Sequence, residues 1–221
     1  MGLPMGLQYS ITAIGSVILQ TAVNDMGSTY VAAVSAGSKI CMFMCCPFDA
    51  MGSTMATYGG QNVGAKRLDR VDQGLKACIK MGIIYALVAL AFSIVFGKQL
   101  ALLFVKKEQI ELIGYIYEFV VINAAFYIFL ALVNIVRFMI QGLGYSTFAI
   151  LAGICEMIAR SVAGFVLVPH FGFICVSLGS PLAWVCADLF LIPAYLWVMK
   201  QLRRKFGENK ISRAKSATAT I

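Results

Sequence analysis

The run Leu3–Val23 contains no charged residue, and five more apolar runs follow it at short intervals. They cover Thr29–Tyr58, Cys78–Gly97, Leu112–Ile140, Tyr145–Val168 and Phe173–Met199. A helix needs about 20 mostly apolar residues to cross the hydrocarbon core of a bilayer. Such runs in lipid must pair every backbone polar group internally, which makes them helices, and period-2 alternation is absent. Composition closes off the soluble alternative: 60% of the residues are hydrophobic, 13% are charged, and mean hydropathy is +0.84. A soluble domain of this size leaves too much surface exposed to hide that apolar content. The expectation is an all-α, polytopic membrane bundle of six transmembrane helices, with the lipid bilayer as its first partner.

The breaks between runs are short. Asn24, Asp25 and Gly27 form the first, and Gly59-Gly60 ends the second run, which Pro47 is expected to kink. Gln61 to Lys80 reads as a polar, basic loop leading into the third helix. Leu100–Val105 is apolar but too short to cross, so it is placed at the interface. Gly142-Leu143-Gly144 and Pro169, His170, Gly172 make the remaining turns. Residues 1–199 form the membrane unit, and 200–221 form a basic tail expected to be cytoplasmic and disordered. Met1–Ser10 lacks the charged start of a signal peptide, so Met1 is expected to be internal to a longer protein.

The formal net charge is +8. The basic residues cluster in breaks and tail with no continuous stripe, which sets topology and does not suit nucleic acid. Lys66, Arg67, Arg70, Lys76, Lys80, Arg137 and the tail fall on one side. Lys98, Lys106 and Lys107, diluted by Glu108 and Glu111, fall on the other. The excess puts both termini in the cytoplasm of a plasma-membrane protein. The seven cysteines read as packing residues, since none forms a CxxC pair and all but Cys78 lie inside apolar runs.

Ionisable residues at membrane depth are candidate functional sites. Lys39 and Asp49 lie in the second run, Glu156 and Arg160 in the fifth, Asp188 in the sixth. Glu156 and Arg160 share a helix face at i,i+4 and can pair. That pair is either a structural ion pair or the lining of a polar cavity in which Glu156 exchanges a proton. Lys39 and Asp49, about 15 Å apart along a helix, need separate partners. Asp188 is either a protonated carboxyl bonded to a neighbouring helix or a proton or cation site. Gln20, Asn123 and Asn134, with Gln141, are either interhelical hydrogen-bonding groups or path-lining residues. Metalloprotease, serine-hydrolase and P-loop motifs are missing, so no enzyme, metal site or cofactor is expected, and transport would be secondary or passive.

Three stretches carry a family resemblance: Gly2-Leu3-Pro4-Met5-Gly6-Leu7-Gln8, Pro47 to Lys66 with its Ala56-Thr57-Tyr58-Gly59-Gly60-Gln61-Asn62 core, and Arg137 to Gly144. Together they resemble the C-terminal lobe of the MATE (multidrug and toxic compound extrusion) family, over nearly all of the chain before the tail. The resemblance implies one six-helix lobe of a twelve-helix antiporter, exchanging Na+ or H+ for cationic or amphipathic small molecules. It also implies a missing N-terminal lobe or a second copy as partner. A glutamate that many members carry in the first helix of this lobe has no counterpart here, where Gln8 and Gln20 are the nearest polar residues. Where some members carry an aspartate in the fourth helix, this chain offers Asn123 and Asn134, with Glu118 nearer its outer end. Coupling then falls to the missing lobe, Glu156 or Asp188. The alternatives are a related flippase of lipid-linked sugars and a non-transporting remnant or subunit.

Overall fold

A computed structural model describes residues 2–218, with side chains described for 6–207. Among the described residues every regular element is helical. The helices are α1 (Gly2–Met26), α2 (Ser28–Gly64), α3 (Leu68–Ala101), α4 (Ile110–Ala125), α5 (Tyr127–Gly142), α6 (Ser146–Val162), α7 (Val168–Phe171) and α8 (Phe173–Thr218). A π-helical turn, Ala163–Leu167, joins α6 to α7. By length and composition α2, α3, the α6–α7 rod and α8 can each cross a membrane, and α4 with α5 makes a fifth, bent span. With α1, uncharged from Leu3 to Val23 and packed along α6, the count is roughly consistent with the six expected helices.

Several boundaries differ from the sequence reading. α2 runs past Gly59-Gly60 to Gly64 and stays one helix through Pro47. The expected loop Gln61–Lys80 shrinks to Ala65–Arg67, because α3 already starts at Leu68. Asp69 in its first turn favours the helix N-terminus. The hydrogen-bonded Arg67 guanidinium holds the Asp69 carboxyl below the usual carboxylate range. The tail expected to be disordered continues α8 as helix to Thr218, while residues 219–221 lie outside the described ones.

The fourth run is two helices bent by 51° at Phe126, where neither glycine nor proline announces a break. Phe126 N–H donates to the Asn123 carbonyl at 3.1 Å and Phe129 N–H to the Phe126 carbonyl at 3.0 Å. These i→i+3 bonds tighten the turn. The Asn123 amide also donates to the carbonyls of Phe119 (2.8 Å) and Ser177 (3.3 Å), tying the bend to α8.

α5 is the central element: Val133 through Gly142 is buried without interruption, against α2, α3, α6 and α8. The periphery has the opposite character. Phe43, Val88, Leu103, Phe165 and Leu189 are among the many large apolar side chains left exposed. In water that surface would be untenable; in a bilayer it meets acyl chains. All seven cysteines are free thiols, as packing residues would be.

Small residues bring helix backbones together, as membrane packing favours. The closest approach is α2 to α5: a Cβ added at Gly142 would sit 2.1 Å from the Ala56 carbonyl oxygen. Of the Gly60-x-x-x-Gly64 pair, only Gly60 packs closely, where an added Cβ would lie 3.3 Å from the Gly142 carbonyl oxygen, while Gly64 faces open space. The α5–α6 turn needs glycine for another reason, since Gly144 has φ +93. Gly142→Ala is therefore expected to destabilise the bundle by about 2 kcal/mol or more, because backbone atoms cannot rotate away. Gly114→Ala, where nothing lies within 4 Å, is expected to be neutral or stabilising. Thermal unfolding of both variants in detergent checks the contrast.

Candidate functional site

Polar residues converge on one level of the bundle from five helices. Asn134, Arg137 and Gln141 stand at i, i+3 and i+7 on α5, so they share a face. Gln8 and Thr12 come from α1, Asp49 from α2, Glu156 and Arg160 from α6 and Asp188 from α8. Tight packing of α1 on α6 sets the approach: a Cβ on Gly15 would lie 3.0 Å from the Met157 Cα.

Glu156 is the hub. Its side chain is 2% exposed, while Arg137 and Arg160 are 5% and 6% exposed. Arg137 Nη2 donates to Glu156 Oε1 in a close ion pair, and Arg160 Nη2 lies 3.5 Å from Oε2. Arg160 Nη1 also donates to the Thr12 carbonyl at 3.2 Å, which draws α1 into the network. Below the hub, the Gln141 amide donates to Gln8 Oε1. Towards α2, Asn134 Nδ2 donates to Asp49 Oδ1 at 3.0 Å. At the hub itself one carboxylate faces two guanidiniums, and Asp49 is the second carboxyl on the cavity wall. Among the described residues, Arg137 Nε, Arg160 Nε, Thr12 Oγ1 and both oxygens of Asp188 make no hydrogen bond.

These groups border a cavity of about 180 Å³, whose wall includes Gln8, Tyr9, Thr12, Asp49, Asn134, Arg137, Glu156, Arg160 and Trp184. Among the described residues no cluster of three or more metal-type ligands occurs. The arrangement can exchange protons and hold charged small molecules.

Of the eight candidates, Glu156, Arg160, Asp49 and Asn134 meet at the cavity, with Asp188 beside it. Three do not. Lys39 is exposed on α2, its ammonium 5.9 Å from the Phe104 ring centre. Asn123 ties α4 to α8, and Gln20 donates within α1 to Asn24 at 3.2 Å. Arg137 moves the other way: counted among the topology-setting charges, it is buried in the ion pair. Placing it near the end of the fourth run hid this, and its spacing with Asn134 and Gln141 was the available signal. Tyr9 and Thr12 left no comparable trace in the sequence.

The MatE family profile matches residues 4–166. The chain belongs to the MATE family. Its fold is similar to an outward-facing multidrug resistance MATE transporter of the MOP superfamily, with TM-score 0.83 and 20% identity, covering 92% of this chain and 46% of that one. An inward-facing MATE structure matches with TM-score 0.77 and 19% identity, covering 92% and 47%. A MOP superfamily transporter from Pyrococcus furiosus, described as having a binding pocket of reverse polarity, matches with TM-score 0.71 and 17% identity over 86% and 42%. In sequence, the chain is 22% identical over 109 residues to a probable multidrug resistance protein, YoeA, of Bacillus subtilis strain 168, covering 49% of this chain and 24% of that protein. The chain thus spans less than half the length of these relatives.

Arg137→Met would leave Glu156 with only the longer Arg160 contact. The expected cost is about 3–5 kcal/mol, the usual penalty for stripping one partner from a buried pair. Lys39→Met, at an exposed lysine, should stay within about 0.5 kcal/mol. Comparative unfolding in detergent micelles measures both.

Proposed function

We propose that the chain is the C-terminal lobe of a secondary antiporter that moves cationic or amphipathic small molecules out of the cell in exchange for Na+ or H+. The observation that carries this reading is the charged cavity at Glu156, built from five helices inside an otherwise apolar bundle. Ionisable groups at membrane depth are costly, and they persist where ions or substrates pass. The cavity is smaller than the roughly 300–1,000 Å³ of typical small-molecule sites, which fits half of an interlobe site. A second lobe, N-terminal in the same transporter or another copy, supplies the rest.

Similarity to both outward-facing and inward-facing relatives supports a lobe that moves as a unit while the cleft opens to alternate sides. Basic residues support the orientation. With Arg137 removed from the tally, Lys66, Arg67, Arg70, Lys76 and Lys80 still outnumber Lys98, Lys106 and Lys107, which supports cytoplasmic termini. The lining mixes two arginines with Asp49 and Glu156 and forms no wide cationic surface for a lipid-linked sugar, so drug-sized cations fit better than flippase substrates.

In this reading Glu156 is the carboxylate at the cavity wall on which exchange depends, positioned by Arg137 and Arg160. The test reconstitutes the chain, alone and with a six-helix MATE N-terminal lobe, and follows ethidium movement under Na+ or H+ gradients. Glu156→Gln, which keeps the shape and removes the charge, is expected to reduce coupled transport by about tenfold or more. Undiminished, equally pH-dependent transport by the variant would remove Glu156 from the mechanism.

A further inference from the structure

Asp188 is the one charged-type group at this level that the network leaves out. It is 4% exposed, and among the described residues neither carboxyl oxygen makes a hydrogen bond. A buried, unsolvated carboxylate is strongly disfavoured, and such groups neutralise instead. Arg137 is the cation within electrostatic reach of Asp188. Its Nη2 is committed to Glu156, but its Nε has no hydrogen-bond partner. Trp184, one turn before Asp188 on α8, lines the cavity, which puts Asp188 one helical turn from the cavity wall.

The other groups facing α8 can be placed. Arg137 comes from α5, Glu156 and Arg160 from α6, and Tyr9 from α1. Tyr115 of α4 stacks on Phe173 at the start of α8 and donates to Glu111, Asn123 reaches Ser177, and Tyr117 turns to α3, where it donates to the Ile94 carbonyl. His170 of α7 precedes that start. Tyr127 of α5 packs on Trp184, and Asp72 of α3 bonds Tyr195 and Arg203 further along α8. Among the described residues Arg137 is the cation whose charge acts on Asp188.

We propose that Asp188 holds a transferable proton in this state, and that Arg137 is a movable counter-ion which passes between Glu156 and Asp188 as the proton leaves and returns. This rests on the antiporter reading above and names its proton site. With the proton on Asp188, Arg137 closes on Glu156, the arrangement observed. When the O–H bond of Asp188 breaks and the proton passes to cavity water, the new carboxylate draws Arg137 through its free Nε. Glu156 then keeps only Arg160 and turns more negative towards the cavity. The arginines stay charged throughout. Formal charges make the consequence plain: Arg137 and Arg160 against Asp49 and Glu156 sum to zero, and an ionised Asp188 takes the set to −1. Proton release therefore favours entry of a cation, and cation entry opposes proton return, which is the exclusion an antiporter requires.

The test is infrared difference spectroscopy of the chain in lipid nanodiscs as pH is varied. A protonated-carboxyl C=O band is expected near neutral pH. It should shift on ¹³C-labelling of aspartate, vanish in Asp188→Asn and persist in Glu156→Gln. Arg137→Met should move its titration to higher pH, because the ionised form loses its counter-ion; a merely structural Arg137 would not. Ethidium binding should tighten by about tenfold across the same pH interval in the wild type and stay flat in Asp188→Asn. The labelling arm needs only the wild-type chain, so it holds if the variants fold poorly. A band that survives Asp188→Asn, fails to shift with labelled aspartate, or is absent would overturn the proposal. So would a titration unmoved by Arg137→Met. An intact Asp188 band with no cation binding in any protein would uphold the proton site and reject the antiporter reading instead.

Discussion

A buried carboxylate shared between two guanidiniums governs the rest of this structure. Glu156 cannot be left charged and alone in an apolar bundle, and neither arginine can be left without it. The contacts that satisfy them cross helices. Arg137 ties α5 to α6, and Arg160 ties α6 to α1 through the Thr12 carbonyl. Lipid offers little hydrophobic drive for helices to associate, so contacts of this kind and close small-residue packing must fix the arrangement. The cavity follows from the same constraint: it is the space left where large charged side chains meet and cannot fill the volume as hydrocarbons would.

The helices were legible because lipid imposes a simple rule on run length and charge. Their ends were less so. Gly59-Gly60 reads as a terminator in water, yet in α2 those glycines serve packing against α5, and the helix continues. The polar stretch after Gly64 reads as loop because it lacks apolar residues, but α3 needs them only at Val71, Leu75 and Cys78, one buried face of a helix emerging from the membrane. The bend at Phe126 has no signal in residue type; it arises from an asparagine side chain bonding to another helix, a tertiary fact.

The site divides along similar lines. Glu156 and Arg160 were found because their spacing lies within one helix. Arg137 was misread because charge near the end of an apolar run looks like a topology signal, and only its neighbours in space show otherwise. Lys39 illustrates the converse: a lysine deep in a run by count is exposed in the fold, beside an aromatic ring. Membership of the MATE family accounts for the bundle, and Arg137, Glu156, Arg160 and Asp188 account for the charge pattern inside it.

The contact of Gly142 with Ala56 has a mechanical meaning as well. Side chains that touch can slide or change rotamer, but two main chains in contact behave as a fulcrum. α2 and α5 can tilt about that point while separating there very little. Asp49 lies seven residues from Ala56, a lever arm of about 10 Å at 1.5 Å per residue. Arg137 lies five residues from Gly142, an arm of about 7.5 Å. A scissoring of about 10° would therefore displace the cavity wall by roughly 2 Å, comparable to the difference between a made and a broken hydrogen bond, while the pivot itself stays still.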